Sequence, residues 1–489
     1  MNRADITKAL IIYGVSLPLA VVLGYYLADP FSFSTIALVG LILFAIGIPF
    51  LIKYYHPLLF LTWNTTAILV LLPGNPPIWM LMAFVSILCV FLLWGTRVAD
   101  VRILTDKQIC YSLAYLFVVV LVTAFITGGL KFRVFGEEGW GVKRYLTVWA
   151  AIFGFFGLAS RGVPVERAQK YVTLFFLGGI TWAITSLYGI QSLRSIVYPL
   201  YYLFPVDPQA TLSQEGLVFR VHGIPFASLF VWYWMVTRFG LRRIFTEQVW
   251  WRIPLVLLVL VGTMSGGFRL YLFTFIGIFF LAFYLEGLHK TAAVTVALLG
   301  LLILGCTTYA IAPVLPKSFQ RSLAWLPVPV APDVKYTAEV TTHWRVEMWK
   351  DLLRDVPLYF WKGRGLVFDP GEFELARTGV YKGPDAHYRA AYLAADYHHG
   401  PLSVIIPLGV WGAIGFLWFT VASMRWVYRA WKLSPPELKT INSGILATYA
   451  IKMLVFYVFY GHFYQDFAFF TGLLGLSVSL NYRLLEGRT

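Results

Sequence analysis

Charge is what this chain has least of. Only 13% of its 489 residues are Asp, Glu, Lys or Arg, and 59% are hydrophobic; a soluble globular chain carries about a quarter charged residues. That excludes an ordinary soluble domain. Acids are scarcer than bases, 24 against 39, which leaves a formal charge of +15. In a soluble protein such a balance points to nucleic acid. Here the cations lie in loops between apolar runs, so membrane topology accounts for them first and no nucleic-acid partner is read. Cysteine is nearly absent. Cys89, Cys110 and Cys306 fall in or beside apolar runs, an odd set whose spacing fits neither a disulfide framework nor a zinc site. Internal repeats, low-complexity tracts and a phosphate-cradling glycine loop are also missing.

What is abundant is long apolar sequence. Runs lie at about 8–28, 34–53, 57–72, 77–96, 108–128, 145–160, 171–190, 223–237, 251–265, 269–286, 291–313, 401–424, 441–460 and 467–482. A run of about 20 residues spans the hydrocarbon core as a helix. Barrel strands would be short and alternating, so a β-barrel is excluded. The expected fold is all-α: a polytopic membrane protein of about 12 to 14 transmembrane helices with one long outer loop carrying short helices. Arg3 and Lys8 precede the first run, which reads as an uncleaved helix rather than a signal peptide. With a cytoplasmic N-terminus, the short outer segments hold Lys131, Arg133, Lys143, Arg144, Arg194, Arg220 and Arg269, and the inner loops hold many more cations. That bias predicts both termini inside.

The division that follows is 1–215, N-terminal helices; 216–313, helices with boundary arginines; 314–400, the large outer loop; and 401–489, C-terminal helices. The loop is far longer than an ordinary connection, which marks it as functional. Its middle reads as an amphipathic helix capped by Thr341 or Thr342, with Trp344, Met348, Leu352 and Leu353 on its apolar face and Pro357 ending it. The inner loops are too short to hold a catalytic domain.

The candidate chemistry lies on the outer face. Arg220 and His222 precede one span, Arg269 sits in a tight turn, and Arg345, Lys350 and Arg364 are on the long loop. His398 and His399 precede the span at 401, Lys452 lies inside a span, and His462 and Asp466 follow it. Cations at an apolar boundary are costly and mark pathways or sites. Arginines with a histidine suit a phosphate-bearing ligand, because guanidinium pairs bidentately with phosphate oxygens. Each residue also has a plainer reading. Arg220 and Arg269 can snorkel to headgroups, Arg345 can pair with Glu347 or Asp351, His398 can be structural, and Lys452 can pair with Asp466. A metal site built from Asp385, His387, Asp396, His398 and His399 matches no standard ligand spacing, and no metal or cofactor is assigned.

The string HHGPLSVIIPLGVWG, His398–Gly412, resembles the signature of the O-antigen ligase and polymerase superfamily. His398, Leu402, Gly409 and Gly412 stand in its spacing, and His399 replaces its usual asparagine. FRVHGIPFA resembles the family's arginine–glycine–proline segment through Arg220, Gly223 and Pro225, with Phe226 where an asparagine is usual. MSGGFRLYL resembles its serine–arginine segment through Arg269. WRVEMWKDLLRDVPLYFWKGRG matches a further segment at Arg345, Trp349, Pro357, Gly363 and Gly365, with extra residues between proline and glycines. The four occur in the family's order over roughly residues 215–415.

The resemblance implies a metal-independent membrane glycosyltransferase in the bacterial inner membrane with a periplasmic active site. Its donor would be a glycan on undecaprenyl diphosphate. The acceptor would be lipid A–core in a ligase or a second lipid-linked glycan in a polymerase. His398 would be the base, Arg220 and Arg269 would stabilise the diphosphate, and Arg345, His399, Lys350 and Arg364 would bind substrate. The alternative from another class is a transporter or flippase of an anionic substrate, against which stand the absence of repeats and the large outer loop.

Overall fold

The computed structural model describes residues 13–14, 16–18, 20–25, 28–29, 32–70, 72, 74–96, 106–129, 140–187, 192–204, 212–215, 218–247, 249–367, 391–393 and 395–486. The start of the first expected span, most of the outer segment after Gly129, and Asp385 and His387 lie outside the described residues. Contacts divide the chain into two compact units, Met1–Tyr55 and His56–Thr489. The first ends within helix α1 (Phe33–Thr62). Everything below concerns the second.

The protein is an all-α polytopic membrane protein. Among the described residues, six helical stretches are long and apolar enough to cross a membrane: Ile78–Thr96 (α2), Lys107–Ile126 (α3), Val165–Leu187, Ala293–Val314, Gly400–Lys432 and Pro436–Val458. Arg252–Met264 and Arg269–Leu285 are apolar but shorter, 13 and 17 residues. The other helices used here are α4 (Trp140–Leu158), α5 (Gly223–Thr246), α6 (Arg252–Met264), α7 (Arg269–Leu285), α8 (Ala293–Ile311), α9 (Lys317–Leu323), α10 (Pro332–Tyr359), α11 (Gly400–Lys432), α12 (Pro436–Val458) and α13 (Phe463–Leu480). One antiparallel hairpin joins β1 (Leu212–Glu215) to β2 (Val218–Val221), with Ser213 opposite Arg220.

In lipid, helices gain little by hiding apolar surface from one another, so close packing must hold them together. α4 packs on α2 and α13, α11 on α3 and α12, and α5 on α6 and α12. A continuous aromatic core runs through this bundle, with Trp232, Phe419, Phe456, Phe467 and Phe470 fully buried or nearly so. α8 is the opposite case. It is apolar throughout and none of its residues is buried, as expected of a helix facing lipid.

Among the described residues of the long 314–400 segment, the longest element is the 28-residue helix α10. α10 starts at Pro332, earlier than the sequence predicts, because proline at N1 needs no hydrogen-bond acceptor and has φ preset for a helix. Thr341 and Thr342 are therefore not caps. They sit mid-helix, where their hydroxyls donate to the carbonyls of Thr337 and Ala338. Met348 and Leu352 form the buried face as expected, with Trp344 packed beside them, but Leu353 is exposed. Pro357 does not end the helix, which runs two residues further.

α10 docks on the start of α11 through a satellite core of Met348, Leu352, Ala395, Tyr397, Leu402 and Ile406. The backbone reinforces this contact. Pro407 and Gly409 interrupt α11, Gly409 having φ +66°. The carbonyls of Ile406 and Pro407 accept instead from the N–H groups of Arg364 and Gly365 at 2.8 and 2.9 Å, and Val410 N–H donates to Phe360 O at 2.7 Å. A Cβ on Gly409 would come within 2.7 Å of Phe360 O, and one on Gly363 within 2.3 Å of Pro407 O. Gly409 of one motif and Gly363 of the other are thus the two sides of one backbone joint.

Candidate functional site

His398 sits at the end of the satellite core, on the segment that leads into α11. Its φ is +51°, a left-handed conformation that costs a non-glycine residue energy and that surrounding structure must hold in place. The ring is wedged between Tyr460, stacked at 5.0 Å and 23°, and Trp344, edge-on at 5.6 Å. Nδ1 lies 2.8 Å from Asp396 Oδ1. The same oxygen lies 2.6 Å from Nε2 of His462, which comes from the turn between α12 and α13. These are close ion-pair contacts rather than aligned hydrogen bonds: Asp396 Oδ1 and His398 Nδ1 have no in-line partner. With Nδ1 facing a carboxylate, Nε2 of His398 is the nitrogen left to take a proton.

His462 is fixed from behind. Its backbone N–H donates to Asp466 Oδ2 at 2.8 Å, Tyr460 Oη lies 2.9 Å from its ring Nε2, and Asp466 Oδ1 accepts from Lys452 Nζ at 3.1 Å. Ser403 Oγ accepts from Phe463 N–H, which ties this turn to the first turn of α11. The Lys452–Asp466 pair is the plainer of the two readings open for Lys452 in the sequence.

The electrostatics divide the two imidazoles. Burial works against the charge on Asp396, but His462 and His398 outweigh it and hold the carboxyl well below its usual range. On His398 burial prevails over the attraction of Asp396, and Arg345 and His462 add to it, so the ring is pushed below its ordinary 6.5. On His462 burial is outweighed by Asp396 and Asp466, and the ring is raised above 6.5. The side chains are 16%, 7% and 38% exposed for His398, His462 and Asp396. Oδ1 of Asp396 is itself buried.

Arg345 stands beside this cluster, with Arg269 next to Arg345 and Arg321 next to Arg269. Arg345 lies over the rings of Trp344 and Tyr460 at 5.5 and 6.0 Å and is within electrostatic reach of both His398 and Arg269. On the same helix as Arg345, Glu347 pairs with Lys350 and Asp351 with Arg354. Arg269 does not simply snorkel. It donates to Thr342 Oγ1 at 2.9 Å and Ala338 O at 3.3 Å on α10. Arg321 of α9, which repels Arg269 at close range, is 2% exposed and donates to Thr341 Oγ1 at 2.7 Å. Like charges held together at an apolar boundary form a ready receptor for a multiply charged anion.

The remaining sequence candidates fall elsewhere. Arg220 is in β2, which packs against α9, and its side chain is outside the described residues. Lys350 makes an exposed pair with Glu347 at 2.8 Å. Arg364 donates to Tyr392 O and Tyr397 Oη, each at 3.3 Å, and so secures the loop. His399 is the N-cap of α11, its Nδ1 accepting from Leu402 N–H at 3.3 Å, with Trp349 edge-on to its ring. Asparagine is a strong N-cap, so His399 does here a task that an asparagine could also perform. Phe226 packs on Trp182 and Tyr271.

Arg321 was missed by sequence reading, and its only signal was a cation two residues before an apolar stretch. His462 stood in the outer set, but nothing in sequence joined it to Asp396. No protein-family model matches the chain, and no curated protein matches it significantly.

Proposed function

We propose that the chain is a membrane glycosyltransferase that moves a glycan from undecaprenyl diphosphate to a sugar hydroxyl of lipid A–core, in the manner of an O-antigen ligase. The observation that carries this reading is the juxtaposition of His398, its Nδ1 against Asp396, with Arg345 and, behind it, Arg269 and Arg321. In the transfer, the acceptor oxygen bonds to the anomeric carbon as that carbon's bond to the diphosphate oxygen breaks. The hydroxyl proton passes to His398 Nε2, and the bonding electron pair leaves with the diphosphate. A base with pKa near the working pH suits the first event. Fixed guanidinium groups at low dielectric suit the second.

The bias of cations toward one set of short loops supports both termini being cytoplasmic and this cluster being periplasmic, in the inner membrane. Polymerisation of two lipid-linked units is the same chemistry with another acceptor. Lys452, the residue most suited to a transporter, is paired with Asp466.

The test is transfer in detergent, with purified protein, a lipid-linked glycan and lipid A–core. Joined product without two compartments is the expected result. Substrate movement across vesicles with no joined product would overturn it. Deletion of the gene separates the acceptors: loss of all long glycan from lipid A–core marks a ligase, and core carrying one repeat unit marks a polymerase.

A further inference from the structure

We propose that His462 sets the charge state of the base: its imidazolium lies against the same Asp396 oxygen as His398 and leaves His398 as the neutral member of the cluster. This deepens the reading of His398 as base and rests on it for its catalytic meaning.

One carboxylate oxygen serves two imidazoles, at 2.8 and 2.6 Å. Protonating both rings would set two cations, with Arg345 beside them, around the one carboxylate oxygen they share. Only one ring can hold the charge comfortably, and the surroundings choose which. His398 faces Asp396, Arg345 and His462, with the neutral Tyr460 ring on its face. His462 faces Asp396 and a second carboxylate, Asp466, with Arg144 opposing them and the Tyr460 and Tyr464 rings around it. Lys452 offsets part of the charge on Asp466. His462 thus has two anions and a guanidinium acting on it where His398 has one anion and a guanidinium. The directions of the two ring shifts agree with this assignment. The separations are those of direct pairs, since ligands about 2.1 Å from a tetrahedral ion would stand about 3.4 Å apart. His462 is therefore a positioning residue that acts through Asp396.

The test reads His398 directly. Full-length protein in detergent is treated with diethyl pyrocarbonate, which acylates only neutral imidazole, and the modification rate of His398 is followed against pH by mass spectrometry. Wild type should give a midpoint below 6.5. His462→Gln removes the cation and should raise that midpoint by about one unit, while Asp396→Asn removes the anion and should lower it by about one unit. His462→Lys, which keeps a cation, should leave it near the wild-type value, so the test survives if one variant fails to fold. Loosened packing alone would move both Gln and Asn variants up toward 6.5, and that result overturns the proposal. So does an unshifted His462→Gln, or a stoichiometric divalent metal in wild type that His462→Gln loses. Opposite shifts with no matching change in the acid limb of glycan transfer support the charge assignment and remove His398 as the base.

Discussion

Two polar clusters sit in this apolar bundle, and they are built on opposite terms. Asn442 of α12 and Asn481, which follows α13, are 1% and 3% exposed. Their amides pair reciprocally at 2.8 and 2.9 Å, and their remaining N–H groups donate to Ser434 Oγ, Ala430 O and Ser477 O. Both members are neutral and each has several aligned partners. The Asp396, His398 and His462 cluster is charged, its contacts are short but out of line, and one oxygen serves two rings. A neutral, fully paired cluster has nothing left to offer a ligand and serves as glue between helices. A cluster with opposed charges and unfilled hydrogen-bonding directions stores reactivity, and it sits beside Arg345, at one end of a row of three arginines.

That contrast can be broken by measurement. His398→Ala has the largest expected effect, a loss of transfer of about a hundred- to ten-thousand-fold with expression and membrane insertion intact. Near-normal turnover would remove His398 from the chemistry. In wild type, the transfer rate should fall on the acid side with a midpoint below 6.5, because the ring is pushed down and works only when neutral; a midpoint above 6.5 contradicts this. Arg269→Lys keeps charge but loses the guanidinium fork and its bond to Thr342, and should lower kcat/KM about ten-fold or more. Wild-type kinetics in that variant would argue against bidentate recognition there.

Asn442→Ala should show the reverse pattern. Leaving Asn481 unpaired costs about 1 kcal/mol of stability, seen as a lower thermal midpoint, with the rate per folded molecule unchanged. A loss of rate without loss of stability would erase the distinction between the clusters. The smallest effect is expected of His399→Asn. The new side chain caps α11 equally well, so activity and midpoint should stay within about two-fold and a few tenths of a kcal/mol; a large loss would show that His399 touches substrate.

Local arguments read some parts of the molecule well. Six of the fourteen apolar runs reappear, among the described residues, as helices long and apolar enough to cross a membrane, and the apolar face at Met348 and Leu352 is buried. Lys452 and Asp466 pair because an isolated charge there is costly. The same local reasoning failed at Thr341, where a plausible cap sits mid-helix because Pro332 starts the helix further upstream. The histidine–glycine motif pointed to a special segment but not to why its glycines matter, which is the joint between Gly409 and Gly363.

The sequence by itself determined that this is a helical membrane protein whose scarce charges concentrate at helix ends, because hydrocarbon tolerates few charges and little unpaired backbone. Only the tertiary structure decided which charges meet. Asp396 and His462 stand on opposite sides of two long helices, and Arg321, Arg269 and Arg345 come from three separate elements. Contacts between residues distant along the chain depend on how whole helices pack, and no short pattern of residue types encodes that.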